Sequence, residues 1–458
     1  MRLPTILTLS ILCVFIPAAA NDERQFGFEN VKVRTMDEGR IIADGHVIVR
    51  DGLIAAVGEG PLPDEYDGER VKGSAEATLM PGLADMHVHY YESDIGAAYL
   101  ANGITTVRNL TGSVFSDRRD QAARDGTLIG PRVFTSGPII AGGESFPNDF
   151  FVRARSPDQA IGAVRSQARS GYDAVKLYEW LDAETYRAAV TEARANRMKI
   201  YSHVPGSMTI GELLDLKIDS IEHLDGFAEV LVKDGFSLSR DDAYAERWAN
   251  VDTAKFDEWA ERTAASGSWM VPTFAITYGR LRSSDPDAYF AQPEAAILPT
   301  WAETWRQTAL GYETDRPFFD KWLVNKIAFT SALKDAGTNI LIGTDGPNPF
   351  VTPGYAIHDE LNAFVSAGYT TEEVLRIATV EAARFLGKEG KIGVIAVGAR
   401  ADLVLLSADP VTNLDVLRNP EGAMVAGNWW TRLAIDDALD ARKKRMKALR
   451  VEPDQPSR

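Results

Sequence analysis

LMPGLADMHVHY, residues 79–90, predicts a buried strand with a metal site at its end. A Pro81-Gly82 turn precedes a mostly apolar run that finishes in His87 and His89. Because side chains along a strand alternate with a period of two, the two imidazoles face the same side. Two imidazoles on one side can bind one divalent metal ion.

Three other strand-like segments also end in a metal-binding residue type. His203 lies in KIYSHV, His223 in SIEHLDG and Asp345 in NILIGTDG. The chain has only six histidines, so most of them stand at predicted strand ends. This distribution favours one shared metal centre over separate, buried core histidines.

The middle of the chain, about residues 81–385, alternates short apolar strands with helix-length amphipathic stretches, which is typical of a parallel α/β fold. The predicted strands are LADMHVH, TTVRNL, RVFTSG, DAVKLYE, KIYSHV, SIEHLD, WMVPTF and NILIGTD. Eight strand–helix units predict a (β/α)8 TIM barrel, in which all strand carboxyl ends converge on one face. A doubly wound sheet is the alternative, but it would not bring ligands from so many strand ends together.

The two ends of the chain are predicted to build a second, smaller domain. Residues 21–80 and 386–435 contain short strands rich in Val and Ile with Gly turns, and we expect them to pair into one small β-sandwich. Residues 436–458 are expected to form a C-terminal helix or tail.

Residues 1–20 predict a secretory signal peptide, because a positive start, an apolar run and small residues at 18–20 follow one another. We therefore expect a periplasmic or secreted protein. The only cysteine, Cys13, lies inside this segment, so the mature chain would have neither disulfides nor thiol catalysis.

Composition limits the partners of this protein. The chain has 458 residues, of which 45% are hydrophobic and 25% charged, as in ordinary globular proteins. A formal net charge of −16 makes nucleic acid and anionic membrane surfaces poor partners. No later stretch reads as a membrane helix, so a small-molecule substrate is the expected partner.

Two predicted connections are unusually long, at residues 224–268 and 275–338. The second is rich in aromatic residues, among them Tyr289, Trp301, Trp305 and Trp322. These aromatics indicate either an outer helical layer with core contacts or a lid or subunit contact near the site. A homo-oligomer is expected on the second reading.

Several of these stretches occur together in one known family. The chain resembles the amidohydrolase superfamily, specifically its imidazolonepropionase-like and Xaa-Pro or Xaa-Arg dipeptidase-like branch. The stretches that carry the resemblance are LMPGLADMHVHY, GITTVRNL, AVKLYEW, IYSHV, SIEHLDG, LIGTDG, HDELNAFVSAGYTTEEVLRIATVEAARFLG and GKIGVIAVGARADLVLL. They run in order along nearly the whole chain after residue 20.

The resemblance implies a centre of two divalent metal ions, with zinc the expected metal. His87 and His89 would bind the more buried ion, and His203 and His223 the second. Lys176 would be carboxylated by carbon dioxide and would bridge the two ions. The alternative for Lys176 is an unmodified ammonium paired with a carboxylate.

Asp345 matches the family's metal-binding aspartate that handles the proton of the attacking water. Two ions sharing a hydroxide lower its pKa and polarise the scissile carbonyl, while an aspartate serves as general base and then general acid. Family members with dipeptidase character often carry a Gly-Gly turn after the bridging lysine. Here Leu177–Trp180 follows, which leaves the substrate open.

Other candidate residues have weaker signals. Tyr178 shares the face of Lys176 and is a candidate substrate contact. Arg108 could bind a substrate carboxylate, with a structural salt bridge as the alternative. His358, at a helix start, is a packing residue or a substrate contact. Glu222 is expected to face away from the metal and to be structural.

We therefore predict an enzyme, a metal-dependent hydrolase that cleaves an amide or dipeptide-like C–N bond through a metal-activated hydroxide. A second reading is a mononuclear cyclic amide hydrolase or deaminase, with Lys176 unmodified and one metal on His87, His89, His203 and Asp345. A third is an inactive amidohydrolase-like binding protein, against which the filled ligand positions argue.

Overall fold

The computed structural model describes residues 25–74, 76–113, 116–143, 150–237 and 244–451. The predicted signal segment and Cys13 lie outside these residues. Within the described part of the chain, no helix combines the length and apolar character that crossing a membrane requires.

The described residues form strands in two regions, one at the chain ends and one in the middle. The strands are β1 (Gln25–Arg34), β2 (Ile41–Arg50), β3 (Leu53–Glu59), β4 (Glu69–Lys72), β5 (Thr78–Pro81), β6 (Leu83–Val88), β7 (Ile104–Asn109), β8 (Arg132–Thr135), β9 (Ile139–Ala141), β10 (Phe151–Arg153), β11 (Ala174–Leu177), β12 (Lys199–Ser202), β13 (Ser220–Glu222), β14 (Trp269–Val271), β15 (Leu403–Leu406), β16 (Gly422–Val425) and β17 (Asn428–Thr431).

Helices follow most of the central strands. They are α1 (Gly96–Leu100), α2 (Ser116–Arg124), α3 (Pro157–Arg169), α4 (Ala183–Ala195), α5 (Ile210–Asp215), α6 (Phe227–Leu231), α7 (Tyr244–Ala249), α8 (Phe256–Ser266), α9 (Phe274–Arg282), α10 (Pro286–Phe290), α11 (Trp305–Leu310), α12 (Phe319–Asp335), α13 (Ile357–Ser366), α14 (Thr371–Arg376), α15 (Ala382–Phe385) and α16 (Arg432–Val451).

Local sequence explains where the helices after the central strands begin. Ser156 caps α3 by accepting a hydrogen bond from the amide of Gln159, and Pro157 occupies the first turn, where a missing N–H costs nothing. Asp182 caps α4 through the amide of Thr185. Thr209 and Glu212 form a reciprocal capping box at α5. These caps end each strand-to-helix connection at a defined residue.

The chain ends meet in one eight-stranded sheet. Its order is β17-β16-β15-β5-β1-β2-β3, with β4 also paired to β1. β5 is the joining strand, because it pairs in parallel with β1 and antiparallel with β15. The predicted pairing of the two ends is therefore seen, and its sandwich form stays a prediction.

The central strands are parallel and lie in two sheets, β6-β7-β8 and β10-β9-β11-β12-β13-β14. The Gly137 amide donates to the Ala174 carbonyl at 3.1 Å, which links the end of β8 to β11. Residues 339–346 lie between β14 and β6 and bond to both, through the isolated bridges Met270–Ile340 and Val88–Gly346. The arrangement is a TIM-barrel-like α/β fold.

Seven of the eight predicted central strands are strands in the structure. The eighth, NILIGTD at residues 339–345, is not a regular strand and makes only isolated bridges. One local cause of this irregularity is Asp345, whose positive φ of 61° turns the chain away from extended geometry.

The long connections fold into helices. Residues 224–268 contain α6, α7 and α8, and residues 275–338, which we call the insert, contain most of α9 and all of α10, α11 and α12. Phe319 and Trp322 of α12 are buried in the main core. This agrees with the prediction that the aromatics belong to an outer helical layer with core contacts. The C-terminal helix α16 begins at Arg432, four residues before the predicted boundary, and packs against α1.

Candidate metal centre

The carboxyl ends of the central strands bring the predicted ligands together around Asp345. His89 Nε2 lies 2.7 Å and His87 Nε2 3.2 Å from Asp345 Oδ1. His223 Nδ1 lies 3.9 Å from Asp345 Oδ2. One ligand atom each from His87, His223 and Asp345 falls within 4.8 Å of the others, which is the spacing that a shared metal ion needs.

His203 and Lys176 complete the cluster. The His203 and His223 rings have centroids 4.6 Å apart, and His203 Nδ1 lies 2.7 Å from Asp225 Oδ2. Lys176 is 1% exposed, and its Nζ has no hydrogen-bond partner among the described residues. A buried amine without a partner is costly unless something else satisfies it. The structure thus places all six predicted ligands in one cluster.

An unusual backbone conformation orients the side chains of His223 and Asp345 in the cluster. His223 has φ 62° and Asp345 has φ 61°, in the left-handed region that non-glycine residues rarely adopt. Thr273, whose Oγ1 lies 2.7 Å from His223 Nδ1, also has a positive φ of 49°. Three such residues side by side store strain that is typical of functional sites.

Glu222 lies behind His87 and does not line the pocket. Its Oε2 is nevertheless 2.8 Å from His87 Nδ1, a contact that strand alternation did not predict. His223 has a positive φ, so the regular alternation of strand side chains ends at this residue. Glu222 and His223 can therefore both lie close to the same metal centre. Glu222 is therefore a positioning residue for His87.

Arg108 does not line the pocket, so its placement favours the structural one of its two predicted roles. It is fully buried, and its Nη2 donates to both carboxylate oxygens of Glu222 at 3.1 Å. Its Nη1 also donates to Ser220 Oγ at 2.9 Å. The positive charge of Arg108 is thus paired with Glu222 inside the protein. Arg108 forms the structural salt bridge that was its alternative role.

The charge states of the cluster suit a divalent metal. Burial raises the pKa of Asp345, but His87 and His89 outweigh burial and hold this pKa well below its usual range. Burial lowers the pKa of His203 and of His223 well below the usual value. Neutral imidazoles and an ionised carboxylate are the forms that bind metal ions. His87 differs, because burial lowers its pKa but Asp345 and Glu222 outweigh burial and raise it.

Burial also lowers the pKa of Lys176, to about 8. The centre therefore offers nitrogen and carboxylate donors and one amine with no partner. This donor set fits borderline divalent ions such as zinc.

A pocket of about 410 Å³ opens onto this centre. The residues that line it are His89, Tyr91, Ile139, Phe151, Lys176, Tyr178, His203, His223, Trp301, Thr304, Trp305, Thr308, Asp345, Pro347, Asn348 and Pro349. Its size is that of a small-molecule site. Four lining residues come from the insert, so this part of the insert lies at the mouth of the site while Phe319 and Trp322 serve the core.

The remaining predicted residues divide between pocket and core. Tyr178 lines the pocket, with its ring centroid 4.5 Å from that of His203. His358 is only 3% exposed, its Nε2 lies 2.9 Å from Asn102 Oδ1, and it does not line the pocket. This placement favours packing over substrate contact, the two roles that the sequence left open.

Sequence reasoning missed several supporting residues. Thr111 Oγ1 contacts His89 Nδ1, Asp225 contacts His203, and Trp301 lies at the pocket mouth. Asp225 had a signal, because it follows His223 by two residues in SIEHLDG. Trp301 had a general signal, because it belongs to the aromatic connection for which a position near the site was one of two readings. Thr111 had none, because its contact with His89 joins two segments that are distant in sequence.

A cluster of histidines with a lysine and an aspartate at the strand ends of a TIM-barrel-like fold defines the class of metal-dependent hydrolases. Within that class, residues 305–430 match the model of the amidohydrolase family. This match confirms the resemblance found in the sequence motifs. The chain is therefore similar to hydrolases of the amidohydrolase type, which act on carbon–nitrogen bonds.

Three known proteins show the extent of the similarity. Ochratoxinase of Aspergillus niger is 22% identical over 468 residues, covering 88% of this chain and 85% of its own. The structure of bottromycin amidohydrolase has a TM-score of 0.74 at 23% identity and covers 93% of this chain and 91% of that one. A putative prolidase from Bifidobacterium longum has a TM-score of 0.65 at 23% identity, covering 92% and 99%. These structures share the fold.

Proposed function

We propose that this protein is a metal-dependent amidase or dipeptidase that hydrolyses one C–N bond of a small amide substrate. The observation that carries the proposal is the contact of Asp345 with both His87 and His89, near the buried amine of Lys176, for which the described residues provide no hydrogen-bond partner. The similarity to a Xaa-Pro dipeptidase and to bottromycin amidohydrolase supports an amide as the reacting group.

The ligand set fits two divalent ions, with zinc as the metal. His87 and His89 would hold one ion and His203 and His223 the other, with Lys176 between them. When bound, such ions polarise the amide carbonyl and lower the pKa of water.

Lys176 is carboxylated in this proposal. Its neutral amine nitrogen forms a bond to the carbon of carbon dioxide as one C=O π bond opens, and the nitrogen releases one proton to water, which gives an anionic carbamate. The modification replaces a buried cationic group by an anionic oxygen donor. This removes the repulsion between the lysine ammonium and two bound cations. Support comes from the buried Nζ, for which the described residues provide no hydrogen-bond partner.

Asp345 moves the proton of the reaction. Its carboxylate accepts a proton from the attacking water and returns it to the nitrogen of the leaving amine as the C–N bond breaks. The products are a carboxylic acid and an amine. Asn348 Nδ2 donates to Asp345 Oδ2 at 3.1 Å and so fixes the carboxylate in one orientation.

The proposal also covers the domain organisation and the export of the chain. Hydrogen bonds from residues 339–346 to both β14 and β6 support closure of the eight central segments into a (β/α)8 barrel. The terminal strands would form a separate β-sandwich domain. Residues 1–20 would direct the chain to the periplasm or out of the cell and would then be removed, which N-terminal sequencing of the exported chain tests.

The test is metal content followed by turnover. Protein purified without chelator should contain about two ions per chain and hydrolyse members of a library of dipeptides and N-acyl amino acids. The D345N variant should lose turnover, because an amide cannot accept the proton. One ion per chain with activity only on cyclic amides or amines would favour the mononuclear reading. Absence of metal after reconstitution with zinc or manganese would refute both.

A further inference from the structure

We propose that the pocket selects substrates with a neutral aromatic group beside the scissile amide, and that Trp301 sets this preference. The inference rests on the proposed function and names the substrate class of the same site. Trp301 is 42% exposed and lies at the pocket mouth, where a bound ring would cover its exposed face. An exposed tryptophan in a pocket is a common anchor for apolar ligand groups.

Aromatic rings line the pocket on one side from the metal centre to the mouth. The Tyr91 ring stacks on His89 with centroids 5.8 Å apart and an interplanar angle of 7°. Trp301 meets Tyr91 edge to face at 6.4 Å and Trp305 at 5.9 Å. We call Tyr91, Trp301 and Trp305 the aromatic wall. It gives an incoming ring a continuous set of partners for stacked or edge-to-face contact.

Aromatic residues also line the pocket next to the second half of the metal centre. Tyr178 lies beside His203, with centroids 4.5 Å apart, and Phe151 meets Tyr178 edge to face at 5.9 Å. Both residues line the same pocket as the aromatic wall. An aromatic group on either the acyl or the amine part of a substrate therefore finds rings close to the reacting carbonyl.

The charges of the residues that line the pocket favour a neutral group on the substrate. Among the described lining residues, Lys176 and Asp345 are the only lysine, arginine, aspartate or glutamate, and both belong to the metal centre. The other lining residues are histidines of the same centre or neutral side chains. A charged substrate side chain placed against the lining beyond the metal centre would lose its hydration without gaining an ionic partner there.

The aromatic wall is held in place from behind by the C-terminal helix. Arg442 of α16 is 2% exposed, and its Nε donates to the Ile297 carbonyl at 2.7 Å. Its Nη2 lies 2.8 Å from Glu92, one residue after Tyr91. Arg442 thus ties both chain segments that supply the wall to a single side chain. Such preorganisation lowers the entropy cost of binding a ring.

The experiment compares matched substrates in the metal-loaded protein. N-benzoylalanine carries a ring on the acyl side, N-acetylphenylalanine on the amine side, N-acetylalanine none, and N-acetylglutamate a second charge. We expect at least one aromatic member to exceed N-acetylalanine by about tenfold or more in kcat/KM, and N-acetylglutamate to fall below it. The W301A variant should lose most of this preference through a raised KM, W301F should keep part of it, and the metal content should not change.

Controls separate this inference from the proposed function. L310A removes an exposed apolar side chain of the same insert that does not line the pocket, and it should keep the wild-type preference. Hydrolysis of all members with kcat/KM values within threefold, or an unchanged preference in W301A, overturns the aromatic subsite and leaves the hydrolase intact. Absence of turnover on every member refutes the proposed function. Calorimetry with D345N then tests whether aromatic amides still bind more tightly than N-acetylalanine and whether W301A removes the difference.

Discussion

Glu222 Oε2 lies 2.8 Å from Nδ1 of His87, and Arg108 Nη2 binds the same carboxylate at 3.1 Å. The imidazole Nδ1–H therefore donates to Glu222, which leaves the lone pair of Nε2 directed at the metal centre. Because all three side chains are buried, the pair of charges and the imidazole form one unit.

Replacing Glu222 by glutamine should weaken metal binding. The E222Q side chain keeps its volume but loses the charge that orients His87, so we expect metal affinity to fall by about 10- to 100-fold. Competition with a chelator of known affinity measures the change. E313Q, at an exposed position, is the control and should bind metal as the wild type does. Equal affinities in E222Q and the wild type would show that Glu222 does not orient His87.

Removing Arg108 should cost stability rather than specificity. R108M leaves the Glu222 carboxylate buried without its cationic partner, for which we expect a loss of about 3–5 kcal/mol in the free energy of unfolding. Urea denaturation of the metal-free protein provides the measurement. R165M breaks an exposed pair with Glu192 and should leave the midpoint nearly unchanged. A stable R108M variant with altered substrate preference would return Arg108 to a role in binding.

The Arg442 contact predicts a mutation far from the metal centre that changes substrate binding. R442M frees the Ile297 carbonyl and leaves Glu92 and Asp94 without this partner, so the aromatic wall should become mobile. We expect KM to rise about tenfold, a cost of roughly 1.4 kcal/mol in binding, with metal content unchanged.

R442K keeps the charge and should recover part of the effect. R445M is the matched control, because Arg445 pairs with Asp94 but is half-exposed. A similar rise of KM in R445M would mean that loss of surface charge, and not the wall, explains the result.

The terminal sheet predicts a pH dependence of stability at low pH. Burial raises the pKa of Asp409, but hydrogen bonds from Arg34 outweigh it and bring this pKa down to about 2. The ordinary value is about 3.9, so the folded state binds a proton less readily than the unfolded state. The stabilisation is therefore complete above about pH 4 and is lost as the pH falls through about 2.

Comparison of the wild type with D409N checks this prediction. The difference in melting temperature should be largest at pH 5 and shrink steadily towards pH 2. A difference that stays constant over this range would show that the carboxylate charge does not contribute.

Much of the site could be read from the sequence, because each ligand stands at a strand end and parallel strands share one face. The same logic failed at Glu222, since strand alternation holds only until a residue such as His223 adopts a positive φ. It also failed for residues 339–345, where Asp345 turns the chain. The contacts of Arg442 could not be predicted, because they join α16 to Ile297 and Glu92, which are distant in sequence. For Trp301 the sequence offered only the general expectation of aromatics near the site.

The order of synthesis gives the terminal sheet a further significance. β5 pairs with β15, and β6, which leads to His87, begins only two residues after β5. Every candidate ligand has been synthesised by residue 345, yet the partner of β5 begins at Leu403. β5, at the base of the strand that leads to His87 and His89, thus keeps one edge free until that later strand is made. We therefore expect a competent centre to assemble late, once β15 has paired with β5.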